Sequence, residues 1–220
     1  FGPPRTPPGV RLVLGICVAV FLAAQVAPVT VLRLALVPAL FWRGPAPWQA
    51  FTYIFLHFQL WHFVLNALVF WMFGSELERL WGTRKFLTYF LICGVGAGLS
   101  SALADPRSGI PIVGASGGIY GLLIAQAILA PERPVLVFLI VPMKMKHFVW
   151  GVAAVEFFSQ FSGSSPEIAH VAHLGGMAVG YLYLQKDRFF ERLRNWYYRE
   201  KLRRLRERRG EGNGPPPPEL

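Results

Sequence analysis

Long apolar runs dominate the sequence, and the first of them, Leu12 to Val29, contains no charged residue. An α-helix needs about 20 predominantly apolar residues to span the hydrocarbon core of a bilayer. A cleaved signal peptide has a similar run followed by small residues, and Ala23, Ala24 and Ala27 keep that alternative open. Because several more apolar segments follow, we interpret this run as a retained first transmembrane span.

Five further apolar segments have helical length, at residues 61–73, 86–104, 116–130, 147–161 and 168–185. The stretch from Thr30 to Leu60 is broken by prolines and rich in aromatic residues, which is typical of a segment at the membrane interface. Val135 to Val141 is apolar but too short to cross, and we also expect it at the interface. The expected fold class is all-α: a polytopic membrane protein with six transmembrane helices and a membrane-interface first loop.

The distribution of charge predicts the orientation. Only 15% of the residues are charged, against about 25% in soluble domains. The net charge is +10, and Lys186 to Arg209 alone holds eleven Lys and Arg against four Asp and Glu. A basic chain can bind nucleic acid, but a basic block directly after an apolar segment favours a cytoplasmic tail beside the membrane. The positive-inside rule then places both termini in the cytoplasm.

The expected domain organisation follows from these segments. Residues 1–9 form a flexible N-terminal segment, residues 10–185 a six-helix membrane domain, and residues 186–220 a basic cytoplasmic tail.

Polar groups inside a membrane are costly and therefore indicate functional sites. The polar residues of the predicted spans are His62, Asn66, Ser116, Tyr120, Glu156, His170 and His173. On two of the same spans, Gly117 with Gly121 and Gly176 with Gly180 form small-xxx-small patterns, which allow helices to approach closely. Close packing of the fourth and sixth spans would bring a serine beside a histidine, the minimum requirement for an activated nucleophile.

The short fourth span predicts where this serine lies. Residues 116–130 form a helix of about 22 Å, whereas the hydrocarbon core is about 30 Å thick. If this helix ends at the cytoplasmic face, Ser116 begins it below the outer surface, under an outward-facing wet pocket. The unpaired N–H groups of its first turn favour a developing oxyanion, to which His62 and Asn66 can also donate.

Three motifs occur in order along the chain: His62-Phe-Val-Leu-Asn66, Gly114-Ala-Ser116-Gly117, and Ala172-His173-Leu-Gly-Gly176 with Gly180. With these motifs the sequence resembles the rhomboid intramembrane serine proteases of the bacterial six-span type. The resemblance extends from about Trp48 to Gly180.

The resemblance implies a role for each matching residue. Ser116 corresponds to the nucleophile and His173 to the general base, with no aspartate to complete a triad. The oxyanion donors correspond to His62, Asn66 and the backbone of Ser116. Tyr120 matches the aromatic residue beside the base, and His57 a further histidine of the first loop. The family often has Trp-Arg where this chain has Trp48-Gln49, so a loop contact made by that arginine is not expected here.

The implied activity is cleavage of transmembrane segments of other membrane proteins near their outer end. The implied partners are these transmembrane helices and membrane lipids; no nucleic acid, nucleotide, metal or other cofactor is implied.

Other interpretations remain open at this stage. Ser116 alone could be a helix cap, and Gly114 to Gly118 also matches the nucleophile elbow of soluble hydrolases by chance. His170 lies one turn from His173, so it could be the base or could bind a metal with its neighbour. A rhomboid-like protein that binds membrane clients without cutting them would lack the serine or the base. A transporter would use Glu156 and the histidines as a proton relay.

Overall fold

Helices form along almost all of the apolar segments. The computed structural model describes residues 5–44, 46–137, 140–159 and 169–186. The described helices are α1 (Pro8–Val26), α2 (Pro28–Leu32), α3 (Pro38–Arg43), α4 (Gln49–Thr52), α5 (Leu60–Trp81), α6 (Thr83–Ala104), α7 (Ser116–Leu129), α8 (Met145–Ser159) and α9 (residues 169–186). A 3₁₀ turn covers Tyr53–Phe55.

The chain divides into two compact units, Phe1–Tyr183 and Leu184–Leu220. The side chains described below all belong to the first unit. The predicted basic tail lies outside the described residues from residue 187 onward.

Among the described residues, three helices are long and apolar enough to cross a membrane, namely α1, α5 and α6, and α7 is a shorter apolar helix. Large apolar side chains cover their outer surfaces and that of α8, as at Trp61, Trp71, Trp150 and Phe158, which are 45 to 75% exposed. A water-soluble monomer rarely exposes so much apolar surface. The fold is therefore that of a mostly helical integral membrane protein.

A buried glutamate connects the first two long helices. Glu78, on α5, accepts hydrogen bonds of 2.7 Å from the backbone N–H groups of Gly9 and Val10 and from the hydroxyl of Thr83. The first N–H groups of a helix have no acceptor within it, so this carboxylate satisfies two of them on α1. Pro8 and Gly9 are accordingly helical, although we expected a loose segment through residue 9. α5 likewise continues to Trp81, beyond residue 73, where the second apolar segment was expected to end.

Proline and glycine mark several helix boundaries. Pro8, Pro28 and Pro38 are the first residues of α1, α2 and α3, where the missing proline N–H costs no hydrogen bond. Gly82 joins α5 to α6 with a φ of 78°, a left-handed backbone conformation that favours glycine.

The expectation of an all-α chain is wrong for one segment. Pro134–Val137 and Val141–Lys144 form an antiparallel two-stranded hairpin, β1 and β2. The valines at both ends of this short apolar segment favour strands, and Pro134 is tolerated as the first residue of an edge strand. The apolar segment that is too short to cross the membrane thus contributes to two paired strands.

Part of the first loop is folded into the protein. Tyr53, Ile54 and Leu56 are almost completely buried, and the Tyr53 hydroxyl donates to the carbonyl of Gly94 on α6 at 2.6 Å. Gln49 is also buried, and its side-chain amide bonds to backbone groups between α2 and α3. This glutamine stands where the resemblance suggested an arginine, and it connects two parts of the loop by itself.

Candidate active site

The loop before α7 positions Ser116 at the first turn of that helix. Gly114 has a φ of 116°, and its N–H donates to the Tyr53 carbonyl at 3.0 Å. The N–H of Ala115 points to Nε2 of His57 at 3.4 Å. Since a left-handed φ favours glycine, Gly114 permits the sharp turn from which the helix starts. Ser116 is partly exposed, and the next three residues are buried.

Glycines bring α7 and α9 into backbone contact. A Cβ atom at Gly176 would overlap the backbone carbonyl of Gly117, and one at Gly180 would lie 3.1 Å from the Cα of Gly121. Side chains at these positions would force the helices apart, as is typical of small-xxx-small packing. The four glycines that we singled out in the sequence therefore lie at one helix–helix contact.

That contact places His173 beside Ser116. Nε2 of His173 lies 2.8 Å from Oγ of Ser116, which is hydrogen-bond distance. The ring of Tyr120, one turn further along α7, stacks on the imidazole with centroids 4.2 Å apart and planes 8° from parallel. Both residues of the pair are partly exposed, so a substrate or a probe can reach them.

A carboxylate that sequence reasoning did not pair with the histidine lies on its other side. Glu156, on α8, is 8% exposed. Its Oε1 accepts a short hydrogen bond from the Tyr120 hydroxyl and lies 3.0 Å from Nδ1 of His173. Its Oε2 lies 2.6 Å from Nδ1 of His170. Nδ1 of His173 is at ion-pair distance from Oε1 of Glu156, although the ring N–H is not aligned for a hydrogen bond to that oxygen.

By residue type, Glu156, His170 and His173 could also bind a metal ion, since their ligand atoms all lie within 4.8 Å of one another. Zinc–nitrogen and zinc–oxygen bonds of about 2.1 Å place neighbouring ligands of a tetrahedral site about 3.4 Å apart. The separations of 2.6 and 3.0 Å are shorter and correspond to a hydrogen bond and a close carboxylate–imidazole contact. The geometry thus fits a directly contacting carboxylate–histidine cluster better than a zinc site.

The predicted oxyanion donors lie on α5, facing the loop before α7. The ring of His62 is so close to Gly114 that a Cβ atom there would lie 2.9 Å from its Nε2. The side-chain amide of Asn66 donates to the carbonyl of His62 at 2.8 Å. Asn66 also lines a small cavity together with His57 and Ala115. His62 is therefore next to the turn that carries the serine, while one amide proton of Asn66 is used within its own helix.

His57 is a buried residue of the first loop. Its ring meets that of His62 edge to face, with centroids 5.0 Å apart. Burial, together with the neighbouring His62, lowers the pKa of His57 to about 4. A neutral His57 can accept the hydrogen bond from Ala115, so this histidine supports the turn before the serine.

Comparison with known proteins shows the family to which the chain belongs. The family model of the rhomboid domain matches residues 45–187. The chain is 27% identical over 171 residues to rhomboid protein 1, mitochondrial, of Saccharomyces cerevisiae, an alignment that covers 73% of this chain and 44% of the relative. It is 31% identical over 137 residues to the rhomboid protease GlpG of Pectobacterium atrosepticum, covering 61% of this chain and 46% of that protein.

A third relative aligns over a shorter segment. The chain is 36% identical over 76 residues to the rhomboid protease GluP of Bacillus subtilis, covering 34% of this chain and 14% of that protein. The chain therefore spans less than half the length of these curated relatives.

Proposed function

This chain belongs to the rhomboid family, and we propose that it is an intramembrane serine endopeptidase that cleaves transmembrane segments of other membrane proteins. The observation that carries the proposal is the 2.8 Å contact between Oγ of Ser116 and Nε2 of His173 on two glycine-packed helices. Two of the relatives are named rhomboid proteases, which supports the same reaction class.

In the proposed reaction, His173 takes the hydroxyl proton of Ser116 while the serine oxygen attacks the carbonyl carbon of the scissile peptide bond. The negative charge on the carbonyl oxygen is stabilised by the first-turn N–H groups of α7, with His62 and Asn66 as side-chain donors. His173 then gives its proton to the leaving amine. Water hydrolyses the acyl-enzyme in a second step that uses the same histidine as base.

Asn66 has a specific part in this proposal. Its amide is hydrogen-bonded to the His62 carbonyl, so the second amide proton, or a rotation of the side chain, provides the donor. Catalytic hydrogen bonds often align only when substrate is bound.

The proposed setting is a membrane domain of six spans, with α8 and α9 as the fifth and sixth. Both termini lie in the cytoplasm of a bacterium, and the domain lies in its plasma membrane. The partly exposed Ser116 receives an extended piece of a substrate helix. The rhomboid resemblance implies a preference for small residues at the cleavage site.

The test is labelling with a fluorophosphonate serine probe, together with cleavage of a single-span reporter in liposomes. Ser116→Ala and His173→Ala should abolish both signals. Ser100→Ala and His147→Ala serve as matched controls, since Ser100 bonds within its own helix and His147 is exposed at the start of α8. These controls should retain both signals. Cleavage that survives Ser116→Ala in a folded sample would refute the proposal and favour another function of the family fold.

A further inference from the structure

We infer that Glu156 is a positioning residue for the base, so that Ser116, His173 and Glu156 work as a serine–histidine–glutamate arrangement. This inference rests on the proposed function, because it assigns a role within the same reaction. The motifs in the sequence pointed to a serine and a histidine only, and the glutamate becomes a candidate through its place in the fold.

The carboxylate is held by two groups besides the base. The Tyr120 hydroxyl donates to Oε1, and His170 contacts Oε2 through Nδ1 at 2.6 Å. The side chain of Glu156 is only 11% exposed. A buried carboxylate is tolerated when its oxygens are hydrogen-bonded or paired with a cation. Glu156 therefore has a fixed place, with one oxygen 3.0 Å from the base.

The position of Glu156 beside His173 matters because of the charges around the base. The ionisable groups that face His173 are Tyr120 on α7, Glu156 on α8, His62 on α5 and His170 on its own helix. Among the described residues, Glu156 is the carboxylate within ion-pair distance of His173. When His173 takes the serine proton it becomes a cation, and this nearby negative charge stabilises it.

The misaligned ring N–H is compatible with that role. In the resting geometry the contact supplies charge rather than an aligned hydrogen bond. A small rotation of the imidazole would align Nδ1–H with Oε1, and a hydrogen bond at Nδ1 would fix the tautomer that leaves Nε2 free to accept the serine proton. This is the role of the carboxylate in serine–histidine–aspartate triads. Tyr120 contacts both partners, since its ring stacks on His173 while its hydroxyl donates to Glu156.

His170 acquires a definite role in the same cluster. Its Nδ1 is directed at Glu156, and its Nε2 has no hydrogen-bond partner among the described residues. The nitrogen that contacts Ser116 belongs to His173. His170 thus holds the carboxylate rather than acting as the base.

The test compares Glu156→Gln with wild type, using the single-span reporter in liposomes at a series of pH values. Loss of the negative charge should lower kcat/KM at the plateau by at least about tenfold, with KM changed little. Protonation of the base then requires more acid, so the acid limb of the profile should move to lower pH by about one unit or more. A purely structural residue would lower the rate at every pH without moving this limb.

Three further variants make the result decisive. Glu156→Asp keeps the charge, so its acid limb should stay near that of wild type even if the shorter side chain slows the reaction. Tyr120→Phe keeps the stacked ring but removes the hydroxyl that holds the carboxylate, and it should lose activity by a few-fold. Glu132→Gln changes an exposed carboxylate between α7 and β1 that pairs with Lys144 on β2 and Lys146 on α8, and it should match wild type.

The outcomes separate this inference from the proposed function. An unchanged rate and an unchanged acid limb in folded Glu156→Gln would overturn the inference, while loss of activity in Ser116→Ala would leave the protease assignment intact. Activity that a chelator abolishes and zinc restores would also overturn it, because Glu156 would then be a metal ligand. If Glu156→Gln does not fold, Tyr120→Phe decides, and wild-type kinetics in that variant would refute the positioning role.

Discussion

Gly176→Ala tests whether the close approach of α7 and α9 is what assembles the site. The added Cβ would overlap the backbone carbonyl of Gly117, and neither backbone can move as a flexible side chain would. Ordinary contacts between carbon and carbonyl oxygen are about 3.3 Å, so the helices must separate by roughly 1 Å. The separation between Ser116 and His173 would then grow from 2.8 Å to about 3.8 Å, beyond hydrogen-bond distance.

The expected loss is larger in activity than in stability. Overpacking of a close contact costs about 1 to 3 kcal/mol, whereas a displacement of about 1 Å at reacting groups can cost about 10²-fold in rate. We therefore expect Gly176→Ala to remain folded and to cleave the reporter about 100-fold more slowly. Thermal unfolding in detergent measures the loss of stability, and reporter cleavage in liposomes measures the loss of activity.

Gly151→Ala is the matched control, because a Cβ atom there meets nothing within 4 Å and alanine favours the helix by roughly 1 kcal/mol. It should keep wild-type activity. The reasoning is refuted if folded Gly176→Ala cleaves at the wild-type rate. It is also refuted if Gly151→Ala loses as much activity, since the effect would then not depend on the contact.

Two other features of the fold give measurable expectations. Glu78→Gln replaces a buried acceptor of three hydrogen bonds by an amide, one half of which is a donor, and it should lower the free energy of unfolding by about 2 to 4 kcal/mol. Glu132→Gln changes an exposed carboxylate between α7 and β1 and should change that free energy little. Equal effects of the two variants would contradict the role assigned to Glu78. Burial lowers the pKa of His57 from its ordinary 6.5 to about 4. Between these pH values the unfolded chain binds more protons than the folded chain. The free energy of unfolding should therefore fall by up to about 3 kcal/mol as the pH falls from 6.5 to 4. In acid unfolding experiments, the free energy of unfolding of His57→Gln should fall less than that of wild type over the same pH range. Identical pH dependence in the variant and in wild type would show that another group is responsible.

The sequence predicts most of the helical framework because apolar length and helix-start signals are local. The fourth apolar segment was expected to begin at Ser116, and α7 does begin there. The rhomboid resemblance, which came from three ordered motifs, is confirmed by the family model over residues 45–187. The expectation of six spans, the tail and the roles of the individual site residues stay predictions.

Features that depend on pairing across the fold were not predictable in the same way. The hairpin at residues 134–144 has only four residues in each strand, so its apolar pattern is too short to distinguish a strand from an interfacial stretch. The burial of Tyr53 depends on a contact with α6 that is 41 positions away along the chain. Proline and aromatic content indicates a broken segment, but not what that segment packs against.

Glu156 shows most clearly where sequence reasoning ends. Its location in an apolar helix marked it as a costly group that needs a partner, and the same is true of His170 and His173. Glu156 lies 14 and 17 positions before these two histidines on a different helix, so helical periodicity cannot pair them. The sequence therefore left the glutamate open as a proton carrier and His170 open as an alternative base. Packing favours one assignment, since Nε2 of His173 lies 2.8 Å from Oγ of Ser116 whereas Nδ1 of His170 lies 2.6 Å from Glu156. Which histidine acts as the base stays a prediction.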